Sequence, residues 1–290
     1  MRLVSQNYGK QRVRVLKVLR PSAGDAPSRY QVKELSVGVR LEGDFELSYS
    51  AADNSKVVAT DTMKNTVQAL AHRYLGTETE PFALLLARHF LDQYAQVERV
   101  TIDTGERRWA RLAVDGQPHE HAFTAESARP VATVVAARGA EPVLESGVED
   151  LLVMKPTGSG FAGFPRDEHT TLPETDDRVF ATEIEARWRW RATPASFAAA
   201  YEAILAAMLR EFAVPYSASV QATLYQMAGA ALAAAAEIDQ VSLKMPNKHY
   251  LPAQLAPFGL DSTGVSFVPT DEPHGQIEAT VGRSATVERS

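Results

Sequence analysis

Cysteine is absent from this chain of 290 residues. That excludes disulfides, thiolate nucleophiles and cysteine-ligated zinc or iron–sulfur centres, and it suits a reducing compartment. Long apolar runs are absent too. The most apolar stretch, Ala228 to Ala236, is short and alanine-rich, so no membrane-spanning segment is expected. The opening residues MRLVSQNYGK have no apolar core of a secretion signal. No GKS or GKT phosphate loop, GxSxG, HExxH or dinucleotide fingerprint occurs. A net charge of −6 provides no broad basic surface for nucleic acid. A cytoplasmic protein with neither nucleic acid nor membrane as partner is expected.

What is present is the ordinary mixture of a globular protein, 45% apolar and 23% charged. The length suits one large domain or two of common size. One local bias is the run Arg2, Lys10, Arg12, Arg14, Lys17 and Arg20, with no acid among the first twenty residues. A solvated edge strand explains it; a strand face meeting an anionic ligand or a partner subunit is the other reading.

Periodicity gives the plan. Val13 and Val15 alternate with Arg12 and Arg14, and Val37 to Ser50 (VGVRLEGDFELSYS) reads as a strand. Met63, Val67, Leu70, Ala71 and Tyr74 then share one helical face, ended by Gly76. After Thr79 and Pro81, Phe82, Leu85, Leu86, His89, Phe90 and Tyr94 make a second helix. Strands return at 97–103, 108–114 and 131–137. The later half repeats this order. FATEIEARWRWR (Phe180 to Arg191) alternates as a half-buried strand. Thr193 and Pro194 are expected to open a helix striped by Phe197, Tyr201, Ile204, Met208 and Phe212. A further helix is expected from Ser217–Ser219, then strands at 238–244 and 276–281. The plan is β-β-α-α-β-β written twice: antiparallel sheets layered with helices, an α+β class. The units are expected at residues 1–140 and 141–290, their open sheet faces closing against partner subunits.

Several places could carry chemistry. In VATDTMK, Thr60, Asp61 and Thr62 precede a helix; Asp61 or Thr62 is expected to cap it, which leaves the Thr60 hydroxyl for other use. In MPNKHYL, Asn247 and His249 are two apart after a strand, so an amide and a proton carrier leave on one side, unless they are a turn residue and a surface histidine. In KPTGSGFAGFPRDEHTTL, glycines surround Phe161 and Phe164, so a ring could cover a planar ligand or plug the core. Arg178 follows the acidic turn Glu174, Asp176 and Asp177 and would ordinarily pair with it; with Gln221 it could instead form a hydrogen-bonding fork for a flat anion. His119 and His121 share a strand face as a possible metal pair, but no third ligand is readable, so a hairpin surface is preferred and no metal is expected.

Taken together, these fragments resemble the urate oxidase (uricase) family nearly end to end. The resemblance is carried by NYGKQRVRVLKV, LEGDFELSY, ADNSKVVATDTMKN, RRW with DGQPHEHAF, GFAGFPRDEHTTLPETDDR, SASVQATLYQM, MPNKHYL and TVGRS. It implies the tunnelling fold: two tandem β-β-α-α-β-β units per chain, assembled as a homotetramer around a barrel-like tunnel. It implies oxidation of urate by dioxygen and water to 5-hydroxyisourate and hydrogen peroxide, without metal or organic cofactor, in sites shared between subunits. Lys10, Thr60 and His249 would form a proton relay. Arg178 and Gln221 would fork the urate edge, Val220 and Asp61 would add backbone contacts, and Phe161 would stack on the ring. Asn247 would hold dioxygen or water above it, and Ile277 would be a wall. Lys10 and Thr60 would come from one subunit and Phe161, Arg178, Gln221, Asn247 and His249 from its neighbour. The chain ends VERS, unlike the serine-lysine-leucine peroxisomal address, in keeping with the cytoplasmic expectation. The rivals are a purine or pterin cyclohydrolase, disfavoured by the missing cysteines, and an inactive purine-binding protein.

Overall fold

The computed structural model describes residues 2–21, 30–262 and 264–283. The VERS ending and the final serine of TVGRS lie outside the described residues. The chain divides into two compact units, Met1–Gly147 and Val148–Ser290.

In the first unit, strands β1 (Tyr8–Leu19), β2 (Gln31–Gly43), β3 (Val97–Arg107) and β6 (Arg129–Ala137) pair in that order, all antiparallel. Three helices intervene between β2 and β3: a short α1 (Glu46–Ser50), then α2 (Thr60–Tyr74) and α3 (Glu80–Gln93). A separate hairpin, β4 (Trp109–Val114) and β5 (Gln117–Ala125), is inserted before β6. The core is the apolar face of the sheet (Leu35, Val37, Val39, Leu41, Val100, Ile102) against Met63, Val67, Ala71, Phe82, Leu86 and Phe90 of α2 and α3.

Strand β7 (Val143–Lys155) carries the chain into the second unit and borders β8 (Phe180–Trp190). Helices α4 (Phe197–Ala213) and α5 (Val220–Ala234) follow, then β9 (Ile238–Lys244), which pairs with β8. Strand β12 (Glu278–Gly282) pairs with β9. Between β9 and β12 the chain inserts β10 (Asn247–Pro252), a turn of 3-10 helix and β11 (Phe267–Gly275). Each unit is thus two strands, two long helices and two strands, with an excursion before the last strand. The alternation read in Phe180–Trp190 holds: Phe180, Thr182, Ile184, Ala186, Trp188 and Trp190 are buried. The antiparallel α+β class holds with it.

Four local expectations are corrected. The run from Val37 does not stay extended to Ser50. The strand stops at Gly43, where a Cβ would collide with the Gln96 carbonyl, and FELSYS turns into α1 around the buried Phe45. Helix α2 begins at Thr60, three residues early, and Ala59 is its N-cap with no side-chain bond. Neither Asp61 nor Thr62 caps it; both lie in the first turn. In the second unit α4 starts after Ser196, whose hydroxyl accepts from the Ala199 N–H at 3.2 Å, and not at Thr193–Pro194. The six early cations do not form one solvated face: Lys17 turns inward and donates to the Leu75 and Ala71 carbonyls at 2.7 and 3.2 Å, at the negative end of α2. Helix α5 does start after Ser217–Ser219 as expected, and Ser219 caps it, accepting from the Ala222 N–H at 3.1 Å.

Candidate active site

In the first unit the expected residues meet where β1 lies along α2. The strand and the helix run the same way. Near the start of β1 the Tyr8 hydroxyl accepts the Val58 N–H at 2.8 Å, just before α2, while Lys17 near its end reaches the last carbonyls of that helix. Lys10, half-buried, comes between them on the same face, opposite Val39. Thr60 and Asp61 stand exposed in the first turn of α2. Asp61 accepts from Lys64 and from Asn65 Nδ2 at 2.9 Å, one helical turn on. The Lys64 hydrogen bond chiefly holds its carboxyl below the ordinary value, and the charge of Lys10 adds to this. Among the described residues nothing hydrogen-bonds to the Thr60 hydroxyl or the Lys10 ammonium. Among the described residues the first turn of α2 thus keeps a hydroxyl without a hydrogen bond, while the charge of Lys10 acts on the adjoining Asp61.

In the second unit the loop before β8 is tied down strand by strand. Gly160 donates its N–H to the Ser217 carbonyl at 2.9 Å; Phe161 and Thr175 exchange backbone bonds at 2.7 and 3.1 Å; Arg178 donates its N–H to Ser159 at 2.8 Å. Gly160 is obligatory here, because a Cβ would strike the Tyr216 hydroxyl and lie 2.8 Å from the Thr175 carbonyl. These ties set Phe161, Arg178 and the start of α5 side by side. Phe161 stacks on Phe164 at 4.9 Å and 11°, and the Arg178 guanidinium carbon lies 5.5 Å from the Phe161 ring centre.

The ordinary fate of Arg178, pairing with its acidic neighbours, is not what the structure shows. Asp177 accepts instead from the Thr157 hydroxyl at 2.8 Å and the Gly158 N–H at 3.0 Å. Glu174 accepts from the Gly163 N–H at 3.0 Å. The carboxylates hold the glycine loop and leave the guanidinium without an ion pair among the described residues. Its Nε is buried and unsatisfied, and burial pushes its pKa down, Tyr216 opposing.

Helix α5 begins at the same end. The Ser219 hydroxyl takes the Ala222 N–H, so the Val220 and Gln221 N–H groups remain first-turn donors. Helix α5 is about 22 Å long and β9 returns about 23 Å. That brings the chain at Met245–Asn247 back to the level of Val220 and Gln221. Asn247 lies opposite Thr182 on one side and Gly275 on the other, and Lys248 opposite Ala181, but the ladder with β11 shifts register before His249, which lies opposite Thr270, so the two-residue spacing alone does not put Asn247 and His249 on one face. Ile277, half-buried, accepts the Met245 N–H at 2.8 Å through its carbonyl, and a Cβ on Gly275 would touch both its Cδ1 at 3.7 Å and the Asn247 Cβ at 3.8 Å. Residues the sequence reading missed here are Thr182 and Ser159, both fully buried, with hydroxyls that have no hydrogen-bond partner among the described residues. Their signal was the polar interruption of otherwise apolar or glycine-rich positions.

The histidine pair on β5 has rings 4.6 Å apart, with the His121 N–H donating to His119 Nδ1 at 3.3 Å. No group of three or more metal-ligating side chains occurs among the described residues. No helix among them is long and apolar enough to cross a membrane.

The sequence and the architecture match known proteins. A family model described as Uricase matches residues 6–135 and 144–278. A uricase from Arthrobacter globiformis is 39% identical over 285 residues, covering 98% of this chain and 91% of its own. A uricase from Dictyostelium discoideum is 38% identical, covering 97% and 98%. The crystal structure of the Arthrobacter globiformis uricase superposes with a TM-score of 0.91, covering 99% of this chain and 96% of its own.

Proposed function

The chain belongs to the uricase family, and from that premise we propose how its two half-sites act. The protein is an oxidoreductase that oxidises urate. The acceptor is dioxygen, and no metal or organic cofactor takes part. Urate gives two electrons and two protons to dioxygen, making hydrogen peroxide. Water adds at the oxidised ring, making 5-hydroxyisourate, so atoms and electrons balance without a resident redox group.

Residues 1–140 and 141–290 serve as tandem tunnelling-fold units of a homotetramer whose stacked barrels enclose a tunnel. Lys10, Thr60 and the Asp61 backbone of one subunit complete a site whose remainder comes from its neighbour. Arg178 and Gln221 grip one edge of the purine anion, with the Val220 N–H beside them, and Phe161 lies under the ring. Asn247 holds dioxygen, then water, above it, with Ile277 as a wall. Lys10, Thr60 and His249 pass the protons. This is catalysis by placement and proton transfer on a substrate already easy to oxidise once ionised.

The observation that carries the reading is the half-buried Arg178 beside the Phe161 ring, without an ion pair among the described residues, with Asp177 and Glu174 bound to loop glycines. The test is purified protein with urate in air, chelator present. Loss of urate absorbance with equimolar peroxide release is expected. Chelator-sensitive hydrolysis without peroxide, or binding without turnover, would overturn it.

A further inference from the structure

Between Lys10 and Val13 the β1 ladder gains a residue. Lys10 lies opposite Val39 and Val13 opposite Val37, so Gln11 and Arg12 together face the single Gly38. This is a β-bulge, and it changes which face Lys10 occupies. Residues three apart on a regular strand point to opposite sides. Were the ladder regular from Val13 backwards, Lys10 would fall opposite Arg40, on the outward face with Arg14. With the bulge it joins Val13, Val37 and Val39, the face that packs on α2, at the level of Asp61 and Thr60.

Two local features hold the bulge. Arg12 adopts φ 57°, the left-handed region that side-chain-bearing residues rarely enter. Gly38 has no Cβ, and the Gln11 side-chain carbonyl fills the space one would need. The Arg12 side chain is exposed and has no hydrogen bond or ion pair among the described residues. Its backbone, not its charge, is what the structure uses.

We infer that the Gln11–Arg12 bulge is the positioning device that turns Lys10 onto the Thr60 face, with Arg12 as a left-handed spacer. The inference rests on the role proposed above for Lys10. A residue that resists the left-handed conformation favours healing of the ladder, which sends Lys10 outward; glycine accepts the conformation freely.

The experiment compares Arg12→Val, Arg12→Gly and Lys10→Met in the full-length protein, folding checked by circular dichroism. Arg12→Val is expected to lower kcat at least tenfold with KM within twofold. Arg12→Gly is expected to recover kcat to within about threefold of the parent. A folded Arg12→Val with parental kcat, beside an inactive Lys10→Met, overturns the positioning role while leaving the Lys10 reading intact. Lys10→Met at parental turnover sinks the Lys10 reading itself, and with it the inference. Should Arg12→Val not fold, Arg12→Gly decides alone: activity near the parent supports a spacer, and a tenfold loss assigns the effect to the guanidinium and overturns the proposal.

Discussion

Arg178 holds its guanidinium carbon 5.5 Å from the centre of the Phe161 ring, and its Nε is buried with no hydrogen-bond partner among the described residues. A buried donor left unsatisfied costs free energy, so an incoming flat anion relieves an existing penalty while gaining charge-assisted bonds. Asp177 and Glu174 do not compete for it, because loop N–H groups hold them.

The first prediction follows directly. Arg178→Lys keeps a positive charge and loses the planar fork. A lost charge-assisted hydrogen bond is worth about 1.5–3 kcal/mol, so affinity for a non-oxidisable purine anion should fall by roughly 10- to 150-fold by calorimetry. Parental affinity in this variant would remove Arg178 from the site.

Gly160 is the hinge on which the stacking ring hangs. A Cβ there meets the Tyr216 hydroxyl and the Thr175 carbonyl, and the carbonyl belongs to the backbone pair that seats Phe161. Gly160→Ala should destabilise the protein by about 1–3 kcal/mol and lower kcat/KM. Chemical denaturation with parallel kinetics checks it. Relieving only the hydroxyl, by Tyr216→Phe in the same background, should restore little, because the backbone contact persists.

Among the described residues nothing hydrogen-bonds to the Thr60 hydroxyl in the first turn of α2, and Ala59, not Thr60, holds the cap position. Thr60→Ala therefore leaves helix capping intact. Proton transfer by a positioned group contributes about 10²- to 10⁴-fold to rate, so kcat should fall by about that factor with analogue affinity nearly unchanged. Parental turnover at saturating urate would take Thr60 out of the relay.

The sequence disclosed the two-fold repetition, the buried face of β8 and the start of α5 after Ser217–Ser219, because each is written in local periodicity or in residue types that favour one local role. It hid what depends on register. Lys10 reads as even-numbered with Arg12 and Arg14, and the bulge that reverses it leaves no mark in the hydrophobic pattern. The triplet Thr60-Asp61-Thr62 looked like a cap because all three residue types cap well; tertiary packing along β1 started the helix at Thr60 instead. Strands β7 and β10 escaped in part because each places a charged residue against β8, Glu149 with Arg187 and Lys248 with Glu183, and β11 because its FVPTDEPHG carries two prolines and no apolar alternation. Arg178 was named from its motif, but its lack of a carboxylate partner could be learned only from where Asp177 and Glu174 point.

Two caps of the same chemistry give a matched test. Ser219 and Ser196 each accept from the N–H three residues on, at 3.1 and 3.2 Å. Replacing either by alanine should cost about 0.5–2 kcal/mol of stability. Only Ser219 precedes Val220 and Gln221. Ser219→Ala should also raise KM for urate several-fold, and Ser196→Ala should not. Equal kinetic effects would separate the α5 N-terminus from substrate binding.

Glu80 supplies a prediction about pH. It is buried at the start of α3 and accepts from the Ser146 hydroxyl at 2.6 Å. Desolvation raises its pKa above the ordinary value of 4.5, opposed by the Ser146 bond and by Lys33, while Glu78 adds to the rise. Lys33 gives only part of its charge to Glu80, since its ammonium is paired with Glu106 at 2.5 Å. With the folded-state pKa above the unfolded one, the native chain holds this proton more tightly. The stabilisation is complete below about pH 4.5 and is lost as pH rises through the folded pKa. Glu80→Gln keeps an oxygen for Ser146 and never ionises. The variant should match the parent's stability near about pH 4 and exceed it at about pH 7.5, by urea unfolding at both. A parent that gains stability relative to Glu80→Gln as pH rises would mean that its neighbours outweigh burial, and that the carboxylate at the start of α3 is stabilised in its charged form.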